Sequence, residues 1–404
     1  MLQFIITIII LGFAILIHEL GHLLAALLTG VKVERFSLGF GPMVIRKKIK
    51  DIDFGIGPIP FGGYVKIKGK DGIFSHPPRS RFPILFSGPL FNILTAPIVI
   101  IGIFIIFGLK VTPTRKVIVG DGPALRAGIE TGDEIISING QKVDYWDEIS
   151  ELLLREDVKR ITFRHQGVIK TTVLTGDSLG IEPLIAPVIG TVQKEGPADQ
   201  AGIKDGDIIR SIDGKKIERW DEMAKIIQGR PGEKIGITVQ RGDEIMELVV
   251  VPKRISLPDT SFGQIGVMAR FKTVHPSILE AVGLGIDRFG QLLSFTSSFL
   301  LRLVIGRESI RNLGGPIAIA KVSGESYSWG TDTLLFFLAF ILVNLGIINL
   351  LPIPILDGGS IILSVYESIR RRRVSKNFLL IWQQVGLSIF VLLAILVTFN
   401  DLTR

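Results

Sequence analysis

Long apolar stretches separated by polar connections predict four membrane-spanning helices in this chain. They lie at about residues 3–28, 83–109, 333–356 and 378–399. A hydrocarbon core of about 30 Å needs roughly 20 helical residues, and each stretch reaches that length. A secretory signal peptide is the alternative for the first stretch. However, no Lys or Arg precedes this stretch and no small-residue cleavage site follows it. We therefore expect a multi-pass α-helical membrane protein.

Basic residues in the connections predict how the helices cross the membrane. Two connections are rich in them: Lys32, Arg35, Arg46, Lys47, Lys48, Lys50, Lys66, Lys68, Lys70, Arg79 and Arg81 precede the second stretch, and Arg370 to Arg373 precede the fourth. Short loops rich in Lys and Arg remain in the cytoplasm. The termini and the large section at about 110–332 should then face the other side.

That large section contains an internal repeat. The segment at 122–149, GPALRAGIETGDEIISINGQKVDYWDEI, returns 74 positions later at 196–223, and 16 of the 28 aligned positions are identical. In each copy a Gly-Asp pair leads into a short alternating strand, and Asn139-Gly140 or Asp213-Gly214 then gives a hairpin signal. The pattern resembles PDZ domains, which are α+β modules, with limits near 112–183 and 186–270. Two generic small β modules are the alternative.

The segment at 271–332 predicts amphipathic connecting helices rather than a fifth span. Its apolar part carries Glu280, Asp287, Arg288 and Arg302, which suit a helix on the membrane surface. A fifth crossing would also invert the last two spans relative to the arginine cluster. The predicted order is a membrane segment at 1–110 with a β-hairpin loop at about 31–82, the two modules, the connecting helices, and a membrane segment at 333–404.

Composition limits the class of protein and the types of metal ligand that the chain can provide. The 404 residues have a mean hydropathy of +0.46, which is high for a soluble protein. The net charge of +8 is concentrated in loops without interleaved aromatic residues, so we expect no nucleic-acid partner. Cysteine is absent, which excludes disulfides and thiolate ligands. His, Asp and Glu remain as metal ligands.

The sequence ILIHELGH at 15–22 places ionisable residues inside the first apolar stretch. His18 and His22 are one helical turn apart and share a face, so both imidazoles can bind one metal ion. Glu19 lies beside them and can activate a water molecule. The alternative is a set of polar side chains bonded to a neighbouring helix, but ionisable groups in lipid are costly to keep for packing alone.

A catalytic zinc ion commonly takes three protein ligands and leaves one position open for water. The other histidines, His76, His165 and His275, lie outside the spans. Asp357 is the only acidic residue between Asp332 and Glu367. His18 lies about 25 Å along the first helix, and Asp357 reaches a similar depth along the third, which runs in the same direction.

The chain around Asp357 should be unwound, because Pro352 and Pro354 cannot continue a regular helix. Asn344 and Asn349 lie nearby in apolar surroundings and can hydrogen-bond a substrate backbone or a developing oxyanion. Their alternative role is adhesion between helices.

Together these motifs resemble the site-2 protease family, most closely the bacterial RseP type with tandem PDZ domains. The resemblance is carried by the HExxH of the first span, FSLGFGP (36–42), PFGGYVKIKG (60–69), SGPLFN (87–92), the tandem modules and NLLPIPILDGG (349–359). It implies zinc ligands at His18, His22 and Asp357, a catalytic Glu19, and substrate contact at Asn349. The family often has His at the position of Ser360. This difference concerns the residues that support the metal ligands and not the ligands themselves.

The resemblance implies an intramembrane zinc endopeptidase of the bacterial inner membrane, with its active site near the cytoplasmic side. Its substrates would be single-pass membrane proteins, such as an anti-sigma factor in regulated intramembrane proteolysis, or signal-peptide remnants. The PDZ modules would face the periplasm or exterior and bind the chain termini of trimmed substrates or act as a size filter.

A substrate helix must be unwound or extended before cleavage, because a helix hides its carbonyl groups. The segment around Gly62, Gly63, Tyr64 and Val65 predicts short strands with an edge on the membrane-associated, cytoplasmic-side loop, where an extended substrate can pair. A plain cytoplasmic hairpin is the alternative.

Two other functions compete with the protease. A non-enzymatic membrane scaffold would use the PDZ pair and keep the polar residues for structure. A metal transporter would need more ionisable groups than these spans contain.

Overall fold

The structure, a computed structural model, describes residues 2–69, 71–155, 157–176, 179–256 and 260–403. The chain divides into two compact units. The first unit extends to Phe107 and resumes at Pro276, and the second runs from Gly108 to His275. The second unit is therefore an insertion within the first.

Helices and strands cover most of the described residues. The α-helices are α1 (Leu2–Leu28), α2 (Pro78–Phe107), α3 (Pro123–Arg126), α4 (Trp146–Arg155), α5 (Pro197–Gln200), α6 (Trp220–Gln228), α7 (Ile278–Val304), α8 (Pro316–Trp329), α9 (Thr331–Asn349), α10 (Asp357–Arg370) and α11 (Lys376–Thr403). The strands are β1 (Val33–Phe40), β2 (Ile45–Ile49), β3 (Ile52–Ile56), β4 (Ile59–Ile67), β5 (Leu109–Val111), β6 (Val117–Val119), β7 (Glu134–Ile138), β8 (Gln141–Lys142), β9 (Val158–His165), β10 (Val168–Thr175), β11 (Ile181–Pro183), β12 (Ile189–Val192), β13 (Ile208–Ile212), β14 (Lys215–Lys216), β15 (Ile235–Arg241), β16 (Glu244–Val250), β17 (Lys253–Ser256), β18 (Ser261–Gln264), β19 (Val267–Ala269) and β20 (Lys272–Val274).

Four helices of the described chain, α1, α2, α9 and α11, are long and apolar enough to cross a membrane. The prediction of four apolar helices is confirmed, although several limits differ, two of them by five residues or more. Helix α2 begins at Pro78, earlier than expected, and α9 ends at Asn349, earlier than the expected 356. The third span is therefore shorter than the sequence indicates.

The chain leaves the helix after Asn349 because two prolines follow. Pro352 and Pro354 lack the N–H that a helix needs, and helical structure resumes only at Asp357. The predicted break is thus confirmed, but Asp357 is the first residue of a new helix, α10. A side chain at Gly358 would collide with the backbone oxygens of the break, so glycine permits this tight return.

A four-stranded sheet that includes a hairpin lies within the segment at about 31–82, where a β-hairpin loop is predicted. Its strand order is β2-β3-β1-β4, with β1 parallel to β3 and antiparallel to β4. Strands β2 and β3 form a hairpin in which Ile49 pairs with Ile52, and β1 pairs in addition with two strands that follow later in the chain, β3 and β4. The predicted loop also overlaps α2, which begins at Pro78. Strand β4 forms one edge of the sheet.

The inserted unit contains two sheets of the same topology. The orders are β10-β9-β7-β8 and β16-β15-β13-β14, so equivalent strands occupy equivalent places. Each sheet has its own apolar core, which includes Ile135 and Phe163 in the first and Ile209 and Ile237 in the second. This correspondence agrees with the sequence repeat. The limits at 112–183 and 186–270 stay predictions.

The connecting segment at 271–332 contains α7, a short 3-10 helix (Ile310–Asn312) and α8. Ser277 and Glu280 form a capping box at the start of α7. Helix α7 packs on α2 at Gly285, where a Cβ would collide with Ile101. Its exposed apolar residues and charged residues agree with the predicted amphipathic character.

Candidate metal centre

His18 and His22 bring two imidazole nitrogens together on one face of α1. Their side chains are 10 % and 12 % exposed. The two Nε2 atoms are 3.1 Å apart, and the rings meet edge to face. One helical turn separates the residues, so the regular helix alone places the pair.

Asp357 completes a group of three ligand atoms. Its Oδ2 lies 3.1 Å from the Nε2 of His18 and 3.4 Å from that of His22. In a tetrahedral zinc site with bonds of about 2.0–2.2 Å, neighbouring ligand atoms are about 3.4 Å apart. The distances and the types of donor therefore fit zinc.

Helix α2 supports the ring of His22 from behind. The Nδ1 of His22 lies 2.7 Å from the backbone oxygen of Ile84, a distance at which Nδ1–H donates to that carbonyl. This tautomer leaves Nε2 with a free lone pair for a metal. A Cβ on Gly88 would collide with the His22 ring, so this glycine allows α2 to approach the histidines.

Asn92 occupies the corresponding place behind His18. It is fully buried, with its Nδ2 3.4 Å from the His18 Nδ1, and its Oδ1 has no hydrogen-bond partner among the described residues. Amide oxygen and nitrogen are exchanged by a half-turn of the side chain. With them exchanged, the amide oxygen accepts from Nδ1–H, the orphaned acceptor is satisfied, and His18 presents Nε2 as a metal ligand.

Glu19 lies beside the histidines and is 8 % exposed. Strand β4 passes next to it, since a Cβ on Gly63 would lie 2.8 Å from the Glu19 Cγ. A glycine at this position lets the strand approach the carboxylate closely. Glu19 therefore lies next to the edge strand and lines the same cavity as the three ligand atoms.

A cavity of about 820 Å³ contains these groups. Helix α1, strand β4, the break before α10 and Phe390 of α11 form its walls. Residues predicted from sequence that line it are His18, Glu19, His22, Gly62, Gly63, Tyr64, Val65, Asn349 and Asp357. Elements distant in sequence thus meet at one site.

Asn344 behaves differently from the other predicted residues. Its Nδ2 donates a 2.8 Å hydrogen bond to the Phe340 oxygen of its own helix, and the residue lies outside the cavity lining. Ser360 follows the Asp-Gly-Gly turn on α10, and its backbone oxygen accepts from Ser364. This contact is internal to the helix.

Sequence reasoning assigned no role to Asn92 or to the Ile84 carbonyl. The segment SGPLFN entered only through the family resemblance. The available signal for Asn92 was an amide side chain in the middle of an apolar span, which usually has a buried partner. No side-chain signal exists for Ile84, because its contribution is a backbone oxygen.

Comparison with known proteins identifies the family. The model of peptidase family M50 matches residues 6–393. The regulator of sigma-E protease RseP of Escherichia coli is 31% identical over 443 residues, covering 98% of this chain and 97% of that protein. A protein of Neisseria meningitidis, provisionally named a zinc metalloprotease, is 33% identical and covers 97% of this chain and 98% of its own length.

One solved structure also resembles part of the chain. It is the PDZ domain of an SdrC-like protein from Listeria monocytogenes, which is 23% identical, covers 20% of this chain and 84% of its own, and has a TM-score of 0.18. That score is too low for a comparison of folds. The match of the family model over almost the whole length is decisive: the chain belongs to peptidase family M50, the site-2 proteases, and is a metalloprotease.

Proposed function

We propose that this metalloprotease is an intramembrane zinc endopeptidase that cleaves the transmembrane segments of membrane-anchored proteins. The observation that carries the proposal is the convergence of His18 Nε2, His22 Nε2 and Asp357 Oδ2 beside Glu19. These groups belong to apolar helices and to the helix that follows the break, so cleavage would occur within the membrane.

His18, His22 and Asp357 would hold the metal ion. A zinc ion bound there supplies Lewis acidity to the scissile carbonyl and makes a water molecule more acidic. The Ile84 carbonyl, and the Asn92 amide with its oxygen turned towards His18, would hold the two rings in the tautomer that keeps Nε2 free. The three side chains would therefore bind the metal without rearrangement of α1.

Glu19 would move the proton. Its carboxylate accepts a proton from the attacking water and then delivers it to the leaving amine. Glu19 lines the cavity beside β4, where a water molecule and an extended substrate can both reach the carboxylate. Asn349, which lines the same cavity, would hydrogen-bond the substrate backbone near the reacting carbonyl.

Strand β4 would hold the substrate in an extended form. It is the last strand in the sheet order, so one side of its backbone has no strand partner among the described residues. Gly62, Gly63, Tyr64 and Val65 of this strand line the cavity. An extended peptide added to this edge would bring its carbonyl groups to Glu19. Asn344 has less support as a substrate contact, because its amide already bonds Phe340.

The two modules of the inserted unit would be PDZ domains on the periplasmic or exterior side. Their shared sheet order and the 28-residue repeat support two copies of one module. They would bind chain termini of trimmed substrates or exclude untrimmed ones. The basic residues before α2 and before α11 support a cytoplasmic location for those connections, with the metal centre near that side.

The relatives named regulator of sigma-E protease suggest regulated proteolysis in the inner membrane as the setting. An anti-sigma factor or the remnant of a signal peptide would be the substrate. The non-enzymatic scaffold considered from the sequence disagrees with membership of peptidase family M50, and it would give the buried carboxylate of Glu19 no chemical role.

Replacing Glu19 by Gln tests the proposal. We expect cleavage of a membrane-anchored model peptide by the purified protein to fall by about 10²–10⁴-fold, because the proton acceptor is lost. Zinc content, measured by atomic absorption, should stay unchanged, since Glu19 is not a ligand in this proposal.

Asp287→Asn is the matched control, because it makes the same change of carboxylate to amide at an exposed position on α7. This variant should cleave as well as the unaltered protein. Undiminished cleavage by Glu19→Gln would contradict the proposed mechanism.

A further inference from the structure

A buried ion pair outside the metal centre joins α2 to α10. Arg81 of α2 is fully buried and Glu367 of α10 is 6 % exposed, and the Arg81 Nη2 donates to the Glu367 Oε2. The Arg81 guanidinium also lies over the Phe74 ring, 5.2 Å from its centroid. Charged side chains are rarely buried to this degree without a specific requirement.

The two partners belong to the elements that carry and support the metal ligands. Arg81 lies three residues before Ile84, whose carbonyl orients His22, and on the same helix as Asn92. Glu367 lies ten residues after Asp357, and α10 is continuous between them, a distance of about 15 Å. The ion pair therefore connects the helix behind the histidines with the helix that begins at the aspartate.

The ion pair lies near the C-terminal end of α10, and its place there matters because the N-terminal end of α10 is not continuous with another helix. The break separates Asp357 from α9, so α9 cannot fix the rotation or axial position of α10 by helical continuity. Glu367 supplies a second restraint, since its Oε1 accepts a 2.8 Å hydrogen bond from the Val374 backbone N–H. The carboxylate thus fixes the last turns of α10 both to α2 and to the connection that leads to α11.

We propose that Arg81 and Glu367 are positioning residues that hold Asp357 in register with His18 and His22. This role rests on the proposed metal site. The pair acts through α10 and touches neither metal nor substrate. Its loss would displace Asp357 relative to the histidines, weaken metal binding and lower kcat. Substrate binding along β4 would be retained, so KM would stay the same.

The test compares Glu367→Gln with Arg81→Lys in the full-length protein. The glutamine variant removes the carboxylate charge that pairs with the buried guanidinium. Lysine keeps the positive charge but replaces Nη2, the one guanidinium nitrogen of Arg81 with a hydrogen-bond partner among the described residues, by an ammonium group on a shorter side chain. We expect Glu367→Gln to raise the zinc dissociation constant, measured by competition with a chelator, by about 10–100-fold. Arg81→Lys should have a smaller effect in the same direction.

A spectroscopic measurement separates positioning from general stability. The visible absorption of the Co²⁺-substituted protein depends on ligand geometry, and we expect it to change in Glu367→Gln. The control is Asp401→Asn. It replaces a carboxylate that accepts hydrogen bonds from the backbone N–H groups of Gly315, Ile317 and Ala318 at the start of α8, so these hydrogen bonds become weaker. This variant should lower the melting temperature without changing the Co²⁺ spectrum or the zinc dissociation constant.

Three results would overturn the positioning role. A lower melting temperature of both test variants, with unchanged zinc affinity and Co²⁺ spectrum, would show that the pair is only structural. A Co²⁺ spectrum changed equally by Asp401→Asn would show that any loss of stability disturbs the ligands. Failure of the unaltered protein to bind either metal would overturn the proposed metal site as well, and is thereby distinguishable from the other two.

Discussion

At the scale of single residues, the centre depends on side chains whose nitrogen and oxygen atoms are already oriented. His22 is held by the Ile84 carbonyl, and His18 faces the buried amide of Asn92. Partners behind metal-binding histidines fix the tautomer and the ring direction. The sequence motif predicts the two histidines as ligands, and α2 supplies the groups that would orient them.

Substitution of Asn92 tests this dependence. Asn92→Leu removes the acceptor for His18 Nδ1–H, and we expect the zinc dissociation constant to rise by about 10–100-fold. Asn92→Asp keeps an oxygen acceptor and should retain most of the affinity. The measurement is competition with a chelator.

Asn344→Leu is the control for this prediction. Asn344 also lies in an apolar helix, but its amide bonds its own helix, so zinc affinity should not change. An Asn92→Leu variant with full zinc affinity would contradict the orientation of His18 by Asn92.

At the scale of elements, two features bring distant parts of the chain to the proposed metal site. The break after α9 lets α10 begin at Asp357, and the edge strand β4 passes beside Glu19. Prolines in the sequence predicted the first feature. The second depends on the pairing of β1 with β4, which involves residues far apart in the chain, so local patterns could not specify it.

Proline substitutions at neighbouring positions of β4 test pairing with the substrate. Successive backbone N–H groups of a strand point to opposite edges. One of the two variants Val65→Pro and Lys66→Pro therefore removes an N–H that points towards β1, and the other removes an N–H that points towards the open edge. The variant that keeps its hydrogen bond to β1 should have the higher melting temperature of the two. We expect this variant to cleave a membrane-anchored peptide about tenfold more slowly than the unaltered protein, because one hydrogen bond to the substrate is lost.

Lys47→Pro provides the comparison on β2, the opposite edge of the same sheet. It should leave cleavage unaffected. If a well-folded β4 proline variant turned over substrate as fast as Lys47→Pro, substrate pairing on β4 would be refuted.

At the scale of the whole molecule, the inserted unit can be removed at a defined place. Strands β5 and β20, close to the two ends of its chain segment, pair antiparallel, with Val111 opposite Lys272. Paired residues of antiparallel strands have Cα atoms about 4.5–5.5 Å apart. A short glycine linker can therefore replace residues 112–270 without straining the remaining strands.

We expect this deletion to change the selectivity between trimmed and untrimmed substrates. Cleavage of untrimmed substrate would indicate a size filter, and loss of cleavage of trimmed substrate would indicate binding of its terminus. Both are measured by electrophoresis of the cleavage products, with Glu19→Gln in the deleted protein as the control. Unchanged selectivity would contradict either role of the modules.

The sequence by itself determined the features that depend on local pattern. Continuous apolar length predicted the four helices, the 74-residue offset predicted two like modules, and one helical turn brought His18 to His22. The prolines predicted the break before Asp357. Each of these follows from the period of a helix, the composition of a segment or the covalent structure of proline, so no tertiary information is needed.

Only the tertiary structure decided which distant groups meet and how they are oriented. It brought Asp357 to the histidines, set Asn92 and the Ile84 carbonyl behind them, buried Arg81 against Glu367, and joined the β2–β3 hairpin to β1 and β4 in one mixed sheet. Asn344 and Asn349 look alike in sequence, yet only Asn349 lines the cavity. These outcomes depend on packing between helices and pairing between strands, and such contacts leave no periodic signal in the chain.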